Sequence, residues 1–146
     1  MLAVTYTRVG PADEVLSFGE IETPSARVGD VRVKLVSSGV NPSDVKSRAG
    51  VRNKTLAFPL IVPHSDGAGL IDQVGKGVDP ARVGERVWVW NAAWQRPMGT
   101  AAEYVVLPAP QAVTLPEAID FSAGACLGIP ALTAYHAVAI LSLIHI

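Results

Sequence analysis

Cysteine is nearly absent from this sequence, which has a single one, Cys126, among its 146 residues. A lone cysteine excludes an internal disulfide and any zinc cluster built from several thiolates. It fits a reducing compartment, and its Ala-rich surroundings favour a buried, inert thiol over a nucleophile. An excess of positive charge is also missing, since 12 Lys and Arg face 13 Asp and Glu. We therefore expect neither a nucleic acid nor an anionic membrane as partner.

Targeting and spanning segments are lacking as well. Residues 1–6 show no basic stretch ahead of a long apolar one, so no signal peptide is predicted. The longest apolar stretch near the end, residues 137–146, is shorter than the ~20 residues that span a bilayer. Apolar residues make up 49% and charged residues 17%, a globular composition. The sequence predicts a soluble, cytoplasmic protein.

A phosphate-binding loop is the last absence. Gly67-Ala68-Gly69 lacks the third glycine of the dinucleotide fingerprint and is not expected to open a helix. What the first hundred residues do contain is a series of short β-like runs separated by Gly and Pro, and the run at residues 30–37 alternates with period two. These predict a closed or folded-over β structure, with strands at residues 2–6, 14–22, 30–37, 69–74, 86–90, 102–107 and 111–115.

Helices are predicted at two places. Asn41-Pro42-Ser43-Asp44 puts a capping residue before a first-turn proline and an acid, so a short helix should run to about Ala49 and stop at Gly50. After Pro116 the sequence becomes Ala-rich, and residues 117–125 and 130–141 are typical of helices. The predicted fold class is mainly β (α+β), with a natural boundary near residue 121.

Three groups of residues could carry chemistry. Asn41 and Asp44 are either a plain strand-to-helix corner or side chains that point from a helix start into a cleft. His64, Ser65 and Asp66 suggest a catalytic triad or a metal site, but adjacent residues rarely converge on one reaction centre, and zinc needs more N or S ligands. A tight turn is the simpler interpretation.

The tryptophans form the third group. Trp88 and Trp90 share a strand face, which favours a place in the core. Trp94 lies in an irregular, polar stretch and is the better candidate for lining a pocket for a flat apolar ligand. Chemistry of the residues alone leads to a β-rich domain with a possible cleft, and to no particular reaction.

Six motifs in order give a more specific result. Together, over about residues 1–138, they resemble the quinone oxidoreductase (zeta-crystallin-like) branch of the medium-chain dehydrogenase/reductase superfamily. They are Gly39-Val40-Asn41-Pro42-Ser43-Asp44, Pro63-His64-Ser65-Asp66-Gly67-Ala68-Gly69, Gly84-Glu85-Arg86-Val87, Gly99-Thr100-Ala101-Ala102-Glu103-Tyr104, Leu115-Pro116 and Gly128-Ile129-Pro130-Ala131-Leu132-Thr133-Ala134-Tyr135.

The resemblance implies a GroES-like β-barrel followed by a Rossmann domain that binds NADPH, and a homodimer for the intact parent. Zinc-dependent members of the superfamily have Cys where this sequence has Asn41, and His-Glu where it has Ser65-Asp66, so no zinc or other metal is expected. Asn41 and Thr133 would then lie near the nicotinamide, with Asp44 bracing the site. Relatives often have Gly at the position of His64, and a Tyr at that of Lys46.

The implied activity is metal-free hydride transfer from NADPH to a quinone or conjugated carbonyl compound. We expect residues 1–121 to be the GroES-like, substrate-side domain and 122–146 the helical start of a cofactor domain whose remainder is missing. Residues 139–146 depart from the family pattern, and 141–146 match a translation of CTG TCT CTT ATA CAC ATC, which resembles a transposase sequencing-adaptor end. We expect this tail to be non-native.

On that interpretation the fragment alone is inactive. Two alternatives stay open at this point. One is a stand-alone GroES-like binding or assembly module, and the other is a fragment of a zinc alcohol dehydrogenase.

Overall fold

The structure is a computed structural model that describes residues 1–51 and 53–141 of the chain. The prediction that residues 139–146 are a non-native tail falls mainly on residues 142–146, outside the described ones. An N-terminal ribbon pairs β1 (Leu2–Thr5) with β2 (Ser17–Glu20), antiparallel, across the short helix α1 (Ala12–Val15). The predicted strand at residues 14–22 was too long, because its first residues complete α1.

The main body is a five-stranded antiparallel sheet in the order β6-β3-β4-β5-β7. The ribbon joins it beside β6, where Val4 N–H donates to the Ala101 carbonyl at 2.8 Å and Glu103 N–H to the Leu2 carbonyl at 3.0 Å. The result is a folded half-barrel, which confirms the mainly β, GroES-like prediction. Its strands are β3 (Asp30–Gly39), β4 (Asp66–Val74), β5 (Arg86–Val89), β6 (Tyr104–Pro108) and β7 (Ala112–Thr114).

Alternation builds the core. Because side chains on a strand alternate between faces, the inward positions of β3, β4, β5 and β6 form one apolar layer. Its members are buried almost completely: Val31, Val33, Ile71, Val87, Val89, Val105 and Leu107. Strands β3 and β4 approach so closely that a Cβ on Gly69 would lie 2.1 Å from the Lys34 carbonyl oxygen. Only glycine fits there, beside the irregular register between Leu35 and Ser37.

The observed helices agree in part with those predicted from the sequence. Helix α2 (Pro42–Arg48) begins after Asn41 and ends before Gly50, as predicted, and Gly50 has φ +73°. Residues 117–120 are not helical, so the predicted helix over 117–125 reduces to α3 (Phe121–Gly124), which the Asp120 carboxylate caps by accepting from Ala123 N–H at 2.7 Å. The predicted helix over 130–141 is largely confirmed. It consists of α4 (Leu132–Tyr135) between two π-helical turns, Leu127–Ala131 and His136–Ile140.

Two expectations about burial need correction. Strand β5 turns Val87 and Val89 inward, so Trp88 and Trp90 share the opposite, half-buried face, where Trp88 packs on a small second cluster around Ala68. Cys126 is exposed, not buried, because it lies in the turn between α3 and the π-helical turn that follows and is not covered by the sheet. No helix within the described residues is long and apolar enough to cross a bilayer.

Candidate active-site cleft

Asp66 ties two distant parts of the chain together at the first position of β4. Its residue surface is 0% exposed, and its Oδ2 accepts a hydrogen bond from Asn41 Nδ2 and another from Ile129 N–H, both at 2.8 Å. Asn41 precedes α2, whereas Ile129 lies in the C-terminal segment. A single carboxylate therefore holds the helix start and the C-terminal segment against the same strand.

The other oxygen of Asp66 is unusual. Oδ1 is buried and has no hydrogen-bond partner among the described residues. Burial raises the pKa of Asp66, and the hydrogen bonds from Asn41 and Ile129 offset part of that rise. Gly128 packs directly on this oxygen, since a Cβ there would lie 2.2 Å from Oδ1. A side chain at residue 128 could not coexist with the carboxylate in this position.

Beside this junction opens a cleft of about 450 Å³. One wall comes from α2, through Asp44, and another from residues 91–96, through Trp94. His64 also lines the cleft and lies two residues before the start of β4. Trp94 is 63% exposed, so its ring forms the outer wall of the cleft and is not part of the core. The cleft therefore brings together Asp44, Trp94 and His64 from three separate parts of the sequence.

Asp44 fixes the start of α2. Its Oδ2 accepts the Asn41 backbone N–H at 2.8 Å, and its own N–H donates to the Asn41 carbonyl at 3.0 Å. Burial raises the pKa of Asp44, and the hydrogen bond from Asn41 and the nearby His64 oppose that rise. The carboxylate thus braces the helix corner while facing the cleft.

A second cavity, of about 430 Å³, adjoins the cleft and shares Asn91 and Ile129 with it. Thr133, which is exposed on α4, lines it together with Trp90. Apart from the Thr133 hydroxyl, most of the lining side chains from the C-terminal segment are small or apolar. The cavity is large enough for a flat ring and too small for a dinucleotide.

The structure thus brings most of the sequence-predicted site residues together, each in a different setting. Asn41 is buried and acts through Asp66, Asp44 and Trp94 border the cleft, and Thr133 borders the adjoining cavity. The triad interpretation was rightly set aside, because His64 hydrogen-bonds neither Ser65 nor Asp66 within the described part of the chain. No three His, Cys, Asp or Glu side chains cluster as a metal site in residues 1–51 and 53–141.

Sequence reasoning missed two polar side chains behind the cleft. Ser38 Oγ lies 2.9 Å from His64 Nδ1 and 2.9 Å from Thr100 Oγ1, which in turn donates to the Asp66 carbonyl oxygen at 2.6 Å. Ser38 lies at the polar end of β3, and nothing in the sequence around it indicated a functional side chain. Thr100 had one, since it follows Gly99 in a family motif, yet nothing indicated that its hydroxyl would face Asp66.

Comparison with known proteins agrees with this architecture. The family of alcohol dehydrogenase GroES-like domains matches residues 27–117. Quinone oxidoreductase from Rattus norvegicus is 32% identical over 137 residues, which cover 94% of this chain and 40% of that protein. The chain therefore spans about two fifths of the length of such relatives.

Solved structures show the same extent of likeness. A putative NADPH:quinone reductase from Bacillus thuringiensis superposes with a TM-score of 0.85 at 25% identity, covering 96% of this chain and 40% of that one. A mycobacterial protein complexed with NADPH superposes with a TM-score of 0.81 at 25% identity, covering 98% of this chain and 41% of that one.

Proposed function

Because this chain belongs to the alcohol dehydrogenase GroES-like family, as a quinone oxidoreductase-like N-terminal part of a medium-chain dehydrogenase/reductase, we propose that it forms the substrate-side half of an NADPH-dependent quinone or enone reductase. The observation that carries the proposal is the pair of adjoining cavities at the Asp66 junction. Two flat rings side by side are what hydride transfer needs, because the reaction requires close, oriented contact between donor and acceptor.

The residues fit one end of the cofactor. The cavity beside Thr133 has room for a nicotinamide ring, and the Thr133 hydroxyl would hydrogen-bond its carboxamide. The rest of a dinucleotide needs a glycine-rich turn, which this sequence lacks. When bound, NADPH would supply the hydride, as cofactors carry the reactive chemistry in such enzymes.

The chain's own side chains would orient the acceptor and keep water out. Trp94 offers a broad apolar face at the outer wall of the cleft, suited to a flat quinone. Asp66, through Asn41 and the Ile129 N–H, holds the two cavities at a fixed separation. Asn41 is thereby a positioning residue, since its amide is committed to Asp66 and is 3% exposed.

We propose that no catalytic zinc takes part. The support is the chemistry of the donor set: an amide at Asn41 and a hydroxyl at Ser65 are poor partners for a metal that prefers thiolate and imidazole. Residues 122–141 would begin the cofactor-binding part, with residues 1–121 as the substrate-side unit. Within the longer protein a homodimer is proposed from the same family membership.

The experiment compares this chain with a chimera that joins residues 1–138 to the remaining part of the rat quinone oxidoreductase. We expect the chimera to oxidise NADPH with 1,4-benzoquinone, unaffected by a chelator, and the 146-residue chain alone to show negligible turnover. Loss of NADPH absorbance measures both. A folded chimera that reduces no quinone or enone would contradict the proposal, as would activity that disappears with EDTA and returns with zinc.

A further inference from the structure

His64 closes a chain of hydrogen bonds whose direction can be worked out from its far end. A carbonyl oxygen can only accept, so the Thr100 hydroxyl donates its single proton to the Asp66 carbonyl at 2.6 Å. The contact of 2.9 Å between Ser38 and Thr100 must then be a donation from Ser38. With that proton used, Ser38 accepts from His64, whose Nδ1 lies 2.9 Å away and must carry a hydrogen.

The other ring nitrogen is left as the chemically active one. In the neutral ring Nε2 has no hydrogen and presents a lone pair. Within the described residues Nε2 has no hydrogen-bond partner, and the ring lines the cleft. Burial lowers the pKa of His64, and the Asp44 carboxylate opposes that effect, so the ring is mainly neutral at pH 7. Among the residues that the structure describes, the other titratable groups facing the cleft are Tyr6 and Arg96.

The backbone of His64 is held in an unfavourable conformation. Its φ is +76°, in the left-handed region that costs a residue with a side chain about 1 kcal/mol. Hydrogen bonds to the residues on both sides keep it there: Ala101 N–H donates to the Pro63 carbonyl at 3.1 Å, and Ala92 N–H to the Ser65 carbonyl at 2.9 Å. Glycine would adopt this φ without strain, so the imidazole is present at an energetic cost. Backbone strain of this kind concentrates at functional sites.

We propose that His64 is a catalytic residue that binds the oxygen of the acceptor and exchanges a proton with it, an inference that rests on the proposed function. As a dihydronicotinamide reduces the carbonyl compound by two electrons, imidazolium Nε2–H gives its proton to the developing oxyanion. An O–H bond forms, the Nε2–H bond breaks, and the ring returns to its neutral form with hydrogen on Nδ1. Solvent then reprotonates Nε2.

The hydrogen-bond chain suits this exchange. Ser38 accepts from Nδ1–H in both the charged and the neutral ring, so proton transfer at Nε2 requires no rearrangement behind it. The neutral ring is also the form that accepts a hydrogen bond from a phenol or enol. The ligand class that follows is a carbonyl compound whose reduced form bears a hydroxyl, with the ring stacked beside Trp94.

The first test needs no ligand and no activity. Long-range 1H–15N NMR of the 146-residue chain above the pKa of His64 should show hydrogen on Nδ1 and none on Nε2. His136 is exposed and serves as the internal control, with the ordinary Nε2–H form. Ser38→Ala removes the acceptor for Nδ1 and should return His64 to Nε2–H. An Nε2–H form in the folded wild-type chain, or no change in a folded Ser38→Ala variant, overturns the proposal.

The second test uses a pair of probes. Anaerobic hydroquinone carries hydroxyl donors, whereas 1,4-dimethoxybenzene has the same ring without them. We expect hydroquinone to shift the His64 Nε2 resonance and dimethoxybenzene to leave it unmoved. A His64 resonance that millimolar hydroquinone does not move, or that both probes move equally, contradicts binding through the hydroxyl.

The active chimera gives the third test and separates the two proposals. Its kcat/KM should fall as pH rises through the pKa of His64, and His64→Gln should remove that limb and lower the acid plateau about 100-fold. Hydride transfer that is unchanged by His64→Gln at every pH overturns the role of His64 and leaves the reductase function intact. A chimera with no activity, whose His64 still binds hydroquinone, overturns the function and leaves His64 as a hydroxyl-binding group.

Discussion

Substituting Gly128 by alanine tests the junction on which the cleft depends. The added Cβ would lie 2.2 Å from Asp66 Oδ1, 2.6 Å from Cγ and 3.1 Å from Oδ2. A Cβ and a carboxylate oxygen need about 3.2 Å or more, so the carboxylate must move by about 1 Å. Such a shift breaks the hydrogen bonds from Asn41 and Ile129, now both 2.8 Å.

The magnitude follows from those two bonds. Hydrogen bonds to a charged group contribute about 1.5 kcal/mol or more each, so Gly128→Ala should lower the free energy of unfolding by about 3 kcal/mol. For a chain of this size that corresponds to a fall in Tm of about 10 °C. Thermal unfolding followed by circular dichroism measures it. Gly19→Ala is the matched control, because a Cβ at Gly19 meets nothing within 4 Å, and its Tm should stay within about 2 °C of the original.

A double-mutant cycle decides whether the carboxylate is the cause. All three nearest atoms to the added Cβ belong to the Asp66 carboxyl group, so Asp66→Ala removes the obstruction. In the Asp66→Ala background, Gly128→Ala should lower the free energy of unfolding by under about 1 kcal/mol. The coupling free energy between the two substitutions is then about 2 kcal/mol or more. Equal costs in both backgrounds, or a Gly128→Ala variant as stable as the original chain, would refute the reasoning.

Three further predictions concern charge and exposure. Burial raises the folded pKa of Asp66 above 3.8, so the contribution of Asp66 to stability is greatest at low pH and falls as the pH rises through the folded pKa. The Tm of the original chain minus that of Asp66→Asn should therefore decline with pH and then level off. A Tm difference that does not change with pH would contradict this. Arg32 donates to half-buried Asp72 at 2.8 Å, so Arg32→Met should lower the free energy of unfolding, measured by chemical denaturation, by about 1–2 kcal/mol. The control Arg8→Met removes contacts that are exposed to solvent, an ion pair with Glu14 at 3.9 Å and a hydrogen bond to the Glu14 carbonyl at 2.9 Å, and should lower the free energy of unfolding by under about 0.5 kcal/mol. Similar losses for both variants would count against the Arg32 bridge. Cys126 is exposed, so native protein should react with a thiol reagent at one thiol per chain before unfolding, and a thiol that reacts only in denaturant would show it to be buried.

The strands were the part of the fold that sequence could predict best. Alternation marked β3, because the half-barrel buries one face and period two then appears directly in the residue types. Strands β5 and β6 were marked by β-rich runs between turn signals. The cap at Asn41 likewise placed α2. The same local reasoning overextended the helix at residues 117–125, since alanine-rich composition does not reveal that the chain turns at 117–120 before α3.

For the candidate site, sequence determined the residue types and tertiary structure determined their roles. The motifs shared with a family singled out Asn41, Asp44 and Thr133, whereas Trp94 was singled out by the irregular, polar stretch around it. They did not show that Asn41 is buried against Asp66. That pairing joins residues 25 apart, and the bond from Ile129 joins residues 63 apart.

His64 shows the division most clearly. By sequence it was a histidine where relatives often have glycine, at a tight turn. Its positive φ, its partner Ser38 and the tautomer that follows depend on strands β3 and β4 lying side by side and on Thr100 reaching the Asp66 carbonyl. Local propensity depends on neighbours along the chain, whereas the direction of a hydrogen bond depends on which groups the folded chain brings within about 3 Å of each other.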